Sequence, residues 1–289
     1  MQLATLKDGS LAVIRDGRRY DISKCLDSGA SMVDLITIYQ AEKNALENCI
    51  SAQDGTRFAD DVLAAPVLKP SKIWGAAGNY RRGSGSLDSA GGRGEARTAT
   101  PDELLETIFL KPSSAVIGPG ESVVIPGNAQ TVFPELELCV VIGRECRDVP
   151  VDQALDAVFG YSIILDVTAR GYGSGKNLVA TRCVRKGFNT FAPVGPWIVT
   201  RDEIADPQNL TMKLWVNDQL RQSASTGGMI NGVARLVSYL SQVGTLFPGD
   251  LIASGNPDAP DFQEQLAGGD VLIAEIEGIG RLRLGVEKE

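Results

Sequence analysis

Apolar positions recur along the chain with two periods, and the shorter one, the alternation of strands, covers most of it. LATL and LAVIRD flank the turn signal Lys7-Asp8-Gly9-Ser10, which predicts a hairpin over residues 1–20. Residues 31–50 switch to helical spacing, with Ser31 as N-cap and Asp34 three positions on in a capping box. Two prolines in AAPVLKPSK (64–72) interrupt both periods. A boundary is expected there, between a small N-terminal domain over 1–66 and a larger one over 70–289. KIWGAAGNY (72–80) reads as a strand entering a turn. The Gly-, Ser- and Arg-rich stretch 81–100 has too little apolar material to pack and reads as a long loop, a candidate lid.

From 106 to 145 short strands are punctuated by Gly118-Pro119-Gly120 and Pro126-Gly127, and a short helix is expected over 150–158. Residues 210–222 read as strand, turn at Asn217-Asp218, and returning strand. Residues 231–243 carry i, i+3, i+4 apolar spacing with Asn231 as candidate cap, and 271–286 reads as a hairpin about Gly278-Ile279-Gly280. Strands dominate, helices are few, and regular βαβ alternation is missing. The fold class is therefore α+β and strand-rich rather than doubly wound.

One strand carries chemistry. In PELELCVVIG (134–143), Glu135 and Glu137 are two apart within an apolar run. Strand alternation puts both carboxylates on one face, with Cα atoms about 6–7 Å apart. Two like charges on a buried face are costly unless a cation neutralises them, and a divalent metal is the simplest remedy. A second apolar run, YSIILDVTAR (161–170), carries Asp166, the candidate third ligand. Glu275 and Glu277 repeat the Glu-x-Glu spacing, but strict alternation with Leu272, Ala274 and Ile276 makes theirs a solvent face.

Composition narrows the classes. At 289 residues with 43% hydrophobic and 22% charged content, the chain resembles ordinary soluble globular proteins. A net charge of −8 argues against nucleic-acid or anionic-membrane partners. No run approaches the ~20 apolar residues of a membrane span, and no secretory signal pattern is visible, so a cytoplasmic location is expected. Five cysteines, an odd count without a CxxC, suit reduced thiols, with Cys139 a core residue. The chain contains no histidine, which removes Ser-His-Asp and Cys-His nucleophiles and imidazole zinc sites. A metal here would be held by oxygen, favouring Mg²⁺, Mn²⁺ or Ca²⁺. GYGSGK (171–176) follows an apolar strand but fits neither the dinucleotide nor the P-loop pattern.

Seven segments together resemble the fumarylacetoacetate hydrolase family, in the family's order: KIWGAAGNY, FLKPSSAVIGPG (109–120), PELELCVVIG, GYSIILDVTAR, KGFNTFAPVGPWIVT (186–200), PGDLIASGNP (248–257) and GGDVLIAEIEGIGRLRLGV (268–286). The resemblance implies a mixed β-sandwich and β-roll, a homodimer, and Mg²⁺ or Mn²⁺ held by Glu135, Glu137 and Asp166. It implies that Lys186 faces the metal-bound substrate, where an ammonium stabilises a developing enolate. Tyr80 and Asn79 match the turn at the mouth of the site, and Asn256 stands where the family usually has threonine. Family members usually carry a histidine three residues after that tyrosine and a glutamate three further on. Here those positions are Gly83 and Ser86, while Gly171 and Gly173 replace an acid and a glutamine. The implied activity is hydrolysis of a C–C bond in a 2,4-dioxo (acylpyruvate-type) acid through a metal-chelated enolate. Glu103, Asp88 or Glu95 would replace the missing base, or metal-bound water would be the nucleophile, and Arg81 and Arg82 would hold a second substrate carboxylate. The alternatives are a water-independent isomerase, decarboxylase or dehydratase of a 2-oxo acid, or a non-catalytic binding protein.

Overall fold

The computed structural model describes residues 1–59, 62–81, 100–171, 182–257 and 265–289. Its central element is the strand Leu136–Ile142, every residue of which is buried. It pairs antiparallel with Val158–Leu165 on one side and Leu251–Ala253 on the other. Alternation sorts its side chains. Leu136, Leu138, Val140 and Ile142 enter one apolar cluster, shared with Leu214, Leu272, Ala274 and Leu282. Cys139 and Val141 enter a second, shared with Leu35, Ile36 and Tyr39. The sheet is thus covered on both faces, which explains the unbroken apolar reading of this strand.

Among the described residues the large sheet has eleven strands. From one edge it runs 56–57, 18–21, 11–15, 2–5, 192–200, 158–165, 136–142, 251–253, 73–75 and 109–111, with 116–117 parallel to 192–200. The expected N-terminal hairpin is present and joins this sheet, Gln2 opposite Val199 and Leu3 opposite Ile198. A five-stranded sheet packs on the other face in the order 219–225, 211–216, 271–276, 280–288, 122–125. The strand-rich α+β architecture expected from the alternation is the one observed.

Helix Met32–Ser51 starts where its capping box predicts: Ser31 Oγ accepts from the Asp34 amide, and the Asp34 carboxylate accepts from the Ser31 amide at 2.8 Å. Its buried face sets Tyr39 edge-on against Phe159, ring centroids 5.1 Å apart. The turn at Asn217-Asp218 has positive φ at both residues (50° and 65°), the geometry a two-residue hairpin turn demands. Glu275 and Glu277 lie on the wetter side of their strand end, Glu275 paired with Arg281.

Three expectations need correction. The helix expected over 150–158 is a 3₁₀ turn, Val151–Ala157. Helix Val233–Val243 is capped by Gly232, because Asn231 is buried and its side chain donates to the Pro101 carbonyl at 2.9 Å. Cys25 and Cys49 are joined in a disulfide rather than free: the turn Ser23–Cys25 meets the end of helix Met32–Ser51 with the two Cα atoms 6.5 Å apart. Cys139 and Cys146 are buried thiols and Cys183 is exposed. No helix among the described residues is long and apolar enough to cross a membrane.

Candidate functional site

The register of the two central strands creates the site. Leu136 is opposite Leu165, so the next residues outward, Glu135 and Asp166, meet at the ladder's end, where the Asp166 amide donates to the Glu135 carbonyl at 2.8 Å. Glu137 is opposite Ile164 and follows the face of Cys139 and Val141. All three acids therefore project from one face of adjacent strands. Each offers a carboxylate oxygen lying within 4.8 Å of the others. Glu137 and Asp166 are buried, while Glu135 is partly exposed.

Two lysines serve this cluster. Lys186, at the end of the short helix Arg182–Lys186, donates from Nζ to Glu135 Oε2 and Thr168 Oγ1, both at 2.7 Å, and to Asp166 Oδ2. Lys111 is the lysine that the sequence reading missed. Its side chain is 0% exposed, and Nζ donates to Asp166 Oδ1 at 2.7 Å, the Lys186 carbonyl at 2.6 Å and the Val167 carbonyl at 3.3 Å. The available signal was the strand Phe109–Lys111, in which the buried–exposed–buried alternation puts the lysine on the inner face beside Phe109.

These contacts set the charges. Burial opposes ionisation of Asp166, but Lys111 and Lys186 outweigh it and hold the carboxyl below its ordinary range. Glu137 goes the other way. Burial, and then the Asp166 charge, push it well above the usual carboxylate value, only partly offset by Lys186 and by the Gly255 amide at 2.6 Å. Burial also opposes the charge on Lys186, yet Asp166 and Glu135 raise its pKa, so it stays protonated. At Lys111 burial wins and draws the ammonium down.

The remaining wall is held by a polar knot. Asn79 Nδ2 donates to the carbonyls of Asn231 and Ser254, both at 2.8 Å, and its Oδ1 accepts from the Asn231 amide. Gly255 sits against it at φ +100°, and a Cβ there would lie 2.8 Å from Asn79 Cβ. Only glycine fits this turn, which aims the Gly255 amide at Glu137. Asn256 lines the cavity with Oδ1 accepting from Gln222 Nε2 at 2.9 Å, and its Nδ2 has donor capacity. Tyr80 is buried in the wall, and its hydroxyl faces Met212 Sδ at 3.7 Å. Burial, then the Glu137 charge, raise its pKa.

The cavity above these groups has a volume of about 570 Å³. Glu135, Glu137, Asp166, Lys186, Tyr80 and Asn256 all line it, as does Arg81. Arg170, Arg182 and Arg185 also line it, and none of these three had been read as a site residue. Glu103 is not part of it. Its carboxylate accepts from the Thr100 amide at 2.6 Å and closes the capping box of helix Pro101–Leu105, and these bonds lower its pKa, the wrong direction for a base. Leu104 reaches the cavity instead. Arg82, Gly83, Ser86, Asp88 and Glu95 lie outside the described residues, as does Gly173.

The donor set suits a hard divalent ion. It is all oxygen and three carboxylates strong, and Glu137 has no cation in contact among the described residues. The Lys186 ammonium already lies between Glu135 and Asp166, so the cluster is built around positive charge.

Comparison with known proteins places this geometry. Residues 72–287 match the family model described as "Fumarylacetoacetate (FAA) hydrolase C-terminal". The chain is 37% identical to a maleylpyruvate hydrolase of Aquipseudomonas alcaligenes over 243 residues, 83% of this chain and 81% of that protein. It is similar to the crystal structure of maleylpyruvate hydrolase from Sphingobium sp. SYK-6 in complex with manganese(II) ion and pyruvate, at TM-score 0.83 and 33% identity, covering 100% of this chain and 99% of that one. A 2-hydroxyhepta-2,4-diene-1,7-dioate isomerase from Mycobacterium marinum is similar at TM-score 0.70 and 30% identity, covering 100% and 99%. The acidic triad, its lysine and the strand register that gathers them therefore sit on a known scaffold, and the chain belongs to the fumarylacetoacetate hydrolase family.

Proposed function

We propose that this chain is a divalent-metal-dependent enzyme that hydrolyses a C–C bond in a 2,4-dioxo acid of the acylpyruvate type. The observation that carries the reading is the convergence of Glu135, Glu137, Asp166 and protonated Lys186 on one cavity large enough for such an acid. The maleylpyruvate hydrolase relatives support it. Mg²⁺ or Mn²⁺, when held by the three carboxylates, would chelate the 2-oxo and carboxylate oxygens and act there as a Lewis acid.

The chain's own groups bind the substrate and stabilise its developing charge. Lys186 keeps its proton and donates hydrogen bonds toward oxygen that gains negative charge as the enolate develops. Lys111 fixes Asp166 and the Lys186 carbonyl from behind, so the ammonium is positioned before substrate arrives. The Asn256 side-chain amide, on the cavity wall, donates to a substrate carboxylate oxygen. Ala76, Leu104 and Ile230 supply the apolar part of the cavity wall.

A second reading is favoured by one observation. The chain has no histidine and Glu103 is engaged in a helix cap, so the standard water-activating pair is missing. Isomerisation, decarboxylation or dehydration of a 2-oxo acid needs no added water, and an isomerase is among the similar structures. One panel separates the readings: acylpyruvates, oxaloacetate and 2-hydroxydienoates, each with Mn²⁺. Loss of enol absorbance with equimolar release of two acids supports hydrolysis. Turnover of oxaloacetate or the dienoates alone transfers the assignment to the second reading. Manganese binding without any turnover makes the chain a binding protein.

A further inference from the structure

One wall of the cavity contains a hydrogen-bond relay whose direction is fixed at its far end. That end is the Pro257 carbonyl, a backbone oxygen that can only accept. Gln222 Nε2 donates to it at 2.7 Å, which sets the orientation of the Gln222 amide. The same Nε2 carries a second hydrogen and gives it to Asn256 Oδ1 at 2.9 Å. An amide that turns its oxygen to Gln222 keeps Nδ2, its donating end, for the other side. Asn256 is half-buried and lines the cavity that holds the three acids. The placement of Gln222 is built rather than incidental. It is 2% exposed and the one buried residue of strand Gln219–Ser225. Leu214 is opposite Gln222 and Trp215 opposite Leu220, so Arg221 is the extra residue of a β-bulge beside it. A buried amide is costly unless its hydrogens find acceptors, and both Nε2 hydrogens reach the same turn at the cavity wall.

Resting on the proposed function and deepening it, we infer that Gln222 is a positioning residue that fixes the polarity of Asn256, so that this wall meets the substrate with a donor. The two ends of a carboxamide have nearly the same shape and opposite hydrogen-bonding character. Without a lock, Asn256 can turn either end to the cavity. With Gln222 in place, the wall admits a carboxylate or carbonyl oxygen and turns away an amine N–H. Gln222 itself touches no substrate and acts through Asn256.

The test inverts the relay. In Gln222→Glu the oxygen in the Nε2 place carries at most one hydrogen, whether the carboxyl is ionised or protonated. The Pro257 carbonyl is backbone and cannot turn, so Asn256 turns instead, donates to the new carboxyl and shows Oδ1 to the cavity. Pyruvate is titrated calorimetrically into the Mn²⁺-loaded protein, and its affinity should fall at least about tenfold, the share a hydrogen bond to a charged group provides. The same substitution is then made in an Asn256→Thr background. A hydroxyl donates or accepts as it rotates, so there the loss should be at least about fivefold smaller. Changes in charge or packing at position 222 are common to both backgrounds and cancel in that comparison. Gln222→Met covers the case in which the glutamate variant fails to fold. It removes the lock without supplying an acceptor, so pyruvate should bind about twofold more weakly with Asn256 and unchanged with threonine. Unchanged affinity in the Gln222 variants overturns the inference, as does an equal loss in the two backgrounds. If the Mn²⁺-loaded parent protein does not bind pyruvate, the proposed function falls and this inference with it. If the parent binds pyruvate and the background dependence is missing, only this inference falls.

Discussion

Replacing Lys111 with methionine tests the electrostatic core of the site. The side chain is fully buried, of nearly unchanged length after substitution, and 55 residues from its carboxylate partner in sequence. Lys111→Met removes the ammonium from Asp166 and leaves the carbonyls of Val167 and Lys186 without this donor. Breaking a buried ion pair by deleting one partner costs about 3–5 kcal/mol, since the surviving charge stays desolvated. Lys186 remains beside Asp166 and softens the loss, so the lower end, about 3 kcal/mol, is expected. For domains of about 150–250 residues that corresponds to a fall in Tm of about 6–12 °C. The assay is calorimetric unfolding in metal-free buffer, repeated in an Asp166→Asn background. There, without the carboxylate charge, Lys111→Met should cost less by about 1–3 kcal/mol, the coupling expected of directly contacting groups. A fall below about 2 °C, or strict additivity of the two substitutions, would refute the idea that Lys111 and Asp166 act as one buried pair.

Other outcomes follow from the same geometry. Asp166→Ala removes the proposed ligand at the ladder's end, and Mn²⁺ binding followed by electron paramagnetic resonance should disappear. Burial and the Asp166 charge push the Glu137 carboxyl well above its ordinary range, whereas a metal favours its ionised form. Its folded pKa is raised, so manganese affinity should fall as pH falls through that raised value, and binding at or below it should release a proton. Calorimetry in buffers of different ionisation enthalpy reads that release, and a pH-independent, proton-silent affinity would contradict the burial argument. Tyr39, Tyr80 and Tyr161 are all raised by burial, Tyr161 to about 12. Their neutral form is the stable one in the fold, so this stabilisation is present below pH ~10 and lost as pH rises through the folded values. Absorbance at 295 nm should show three of the six tyrosines ionising late or only on unfolding.

What the sequence disclosed was mostly local. Ser31 and Asp34 announce their helix because both partners of the cap lie within four residues. The Glu-x-Glu spacing in PELELCVVIG and the lone acid in YSIILDVTAR were legible because strand alternation fixes which side chains share a face. The roles decided by long-range partners were not. Lys111 reads as an unremarkable strand residue until residues 166 and 186 arrive beside it. Asn231 looks like a cap, but Asn79 and Pro101 claim it from distant segments. Glu103 looks like a free acid near the site, and Thr100 takes it, a local competition that the Thr-Pro-Asp-Glu pattern already contained. Cys25 and Cys49 pair because a turn and a helix end come together, which spacing alone does not reveal.

The dependence of the three acids on strand pairing has a bearing on how this scaffold tolerates change. The connector 143–157 lies outside the ladder that aligns Leu136 with Leu165, so its length does not decide which carboxylates share a face. Deleting a single residue between Leu138 and Val141 is another matter. Glu137 would either keep its pairing while the apolar face behind it inverts, or follow that face and turn toward the hydrophobic interior. Chemistry in this protein is encoded as parity, and an odd-numbered error in one strand erases it while leaving every functional side chain in the chain.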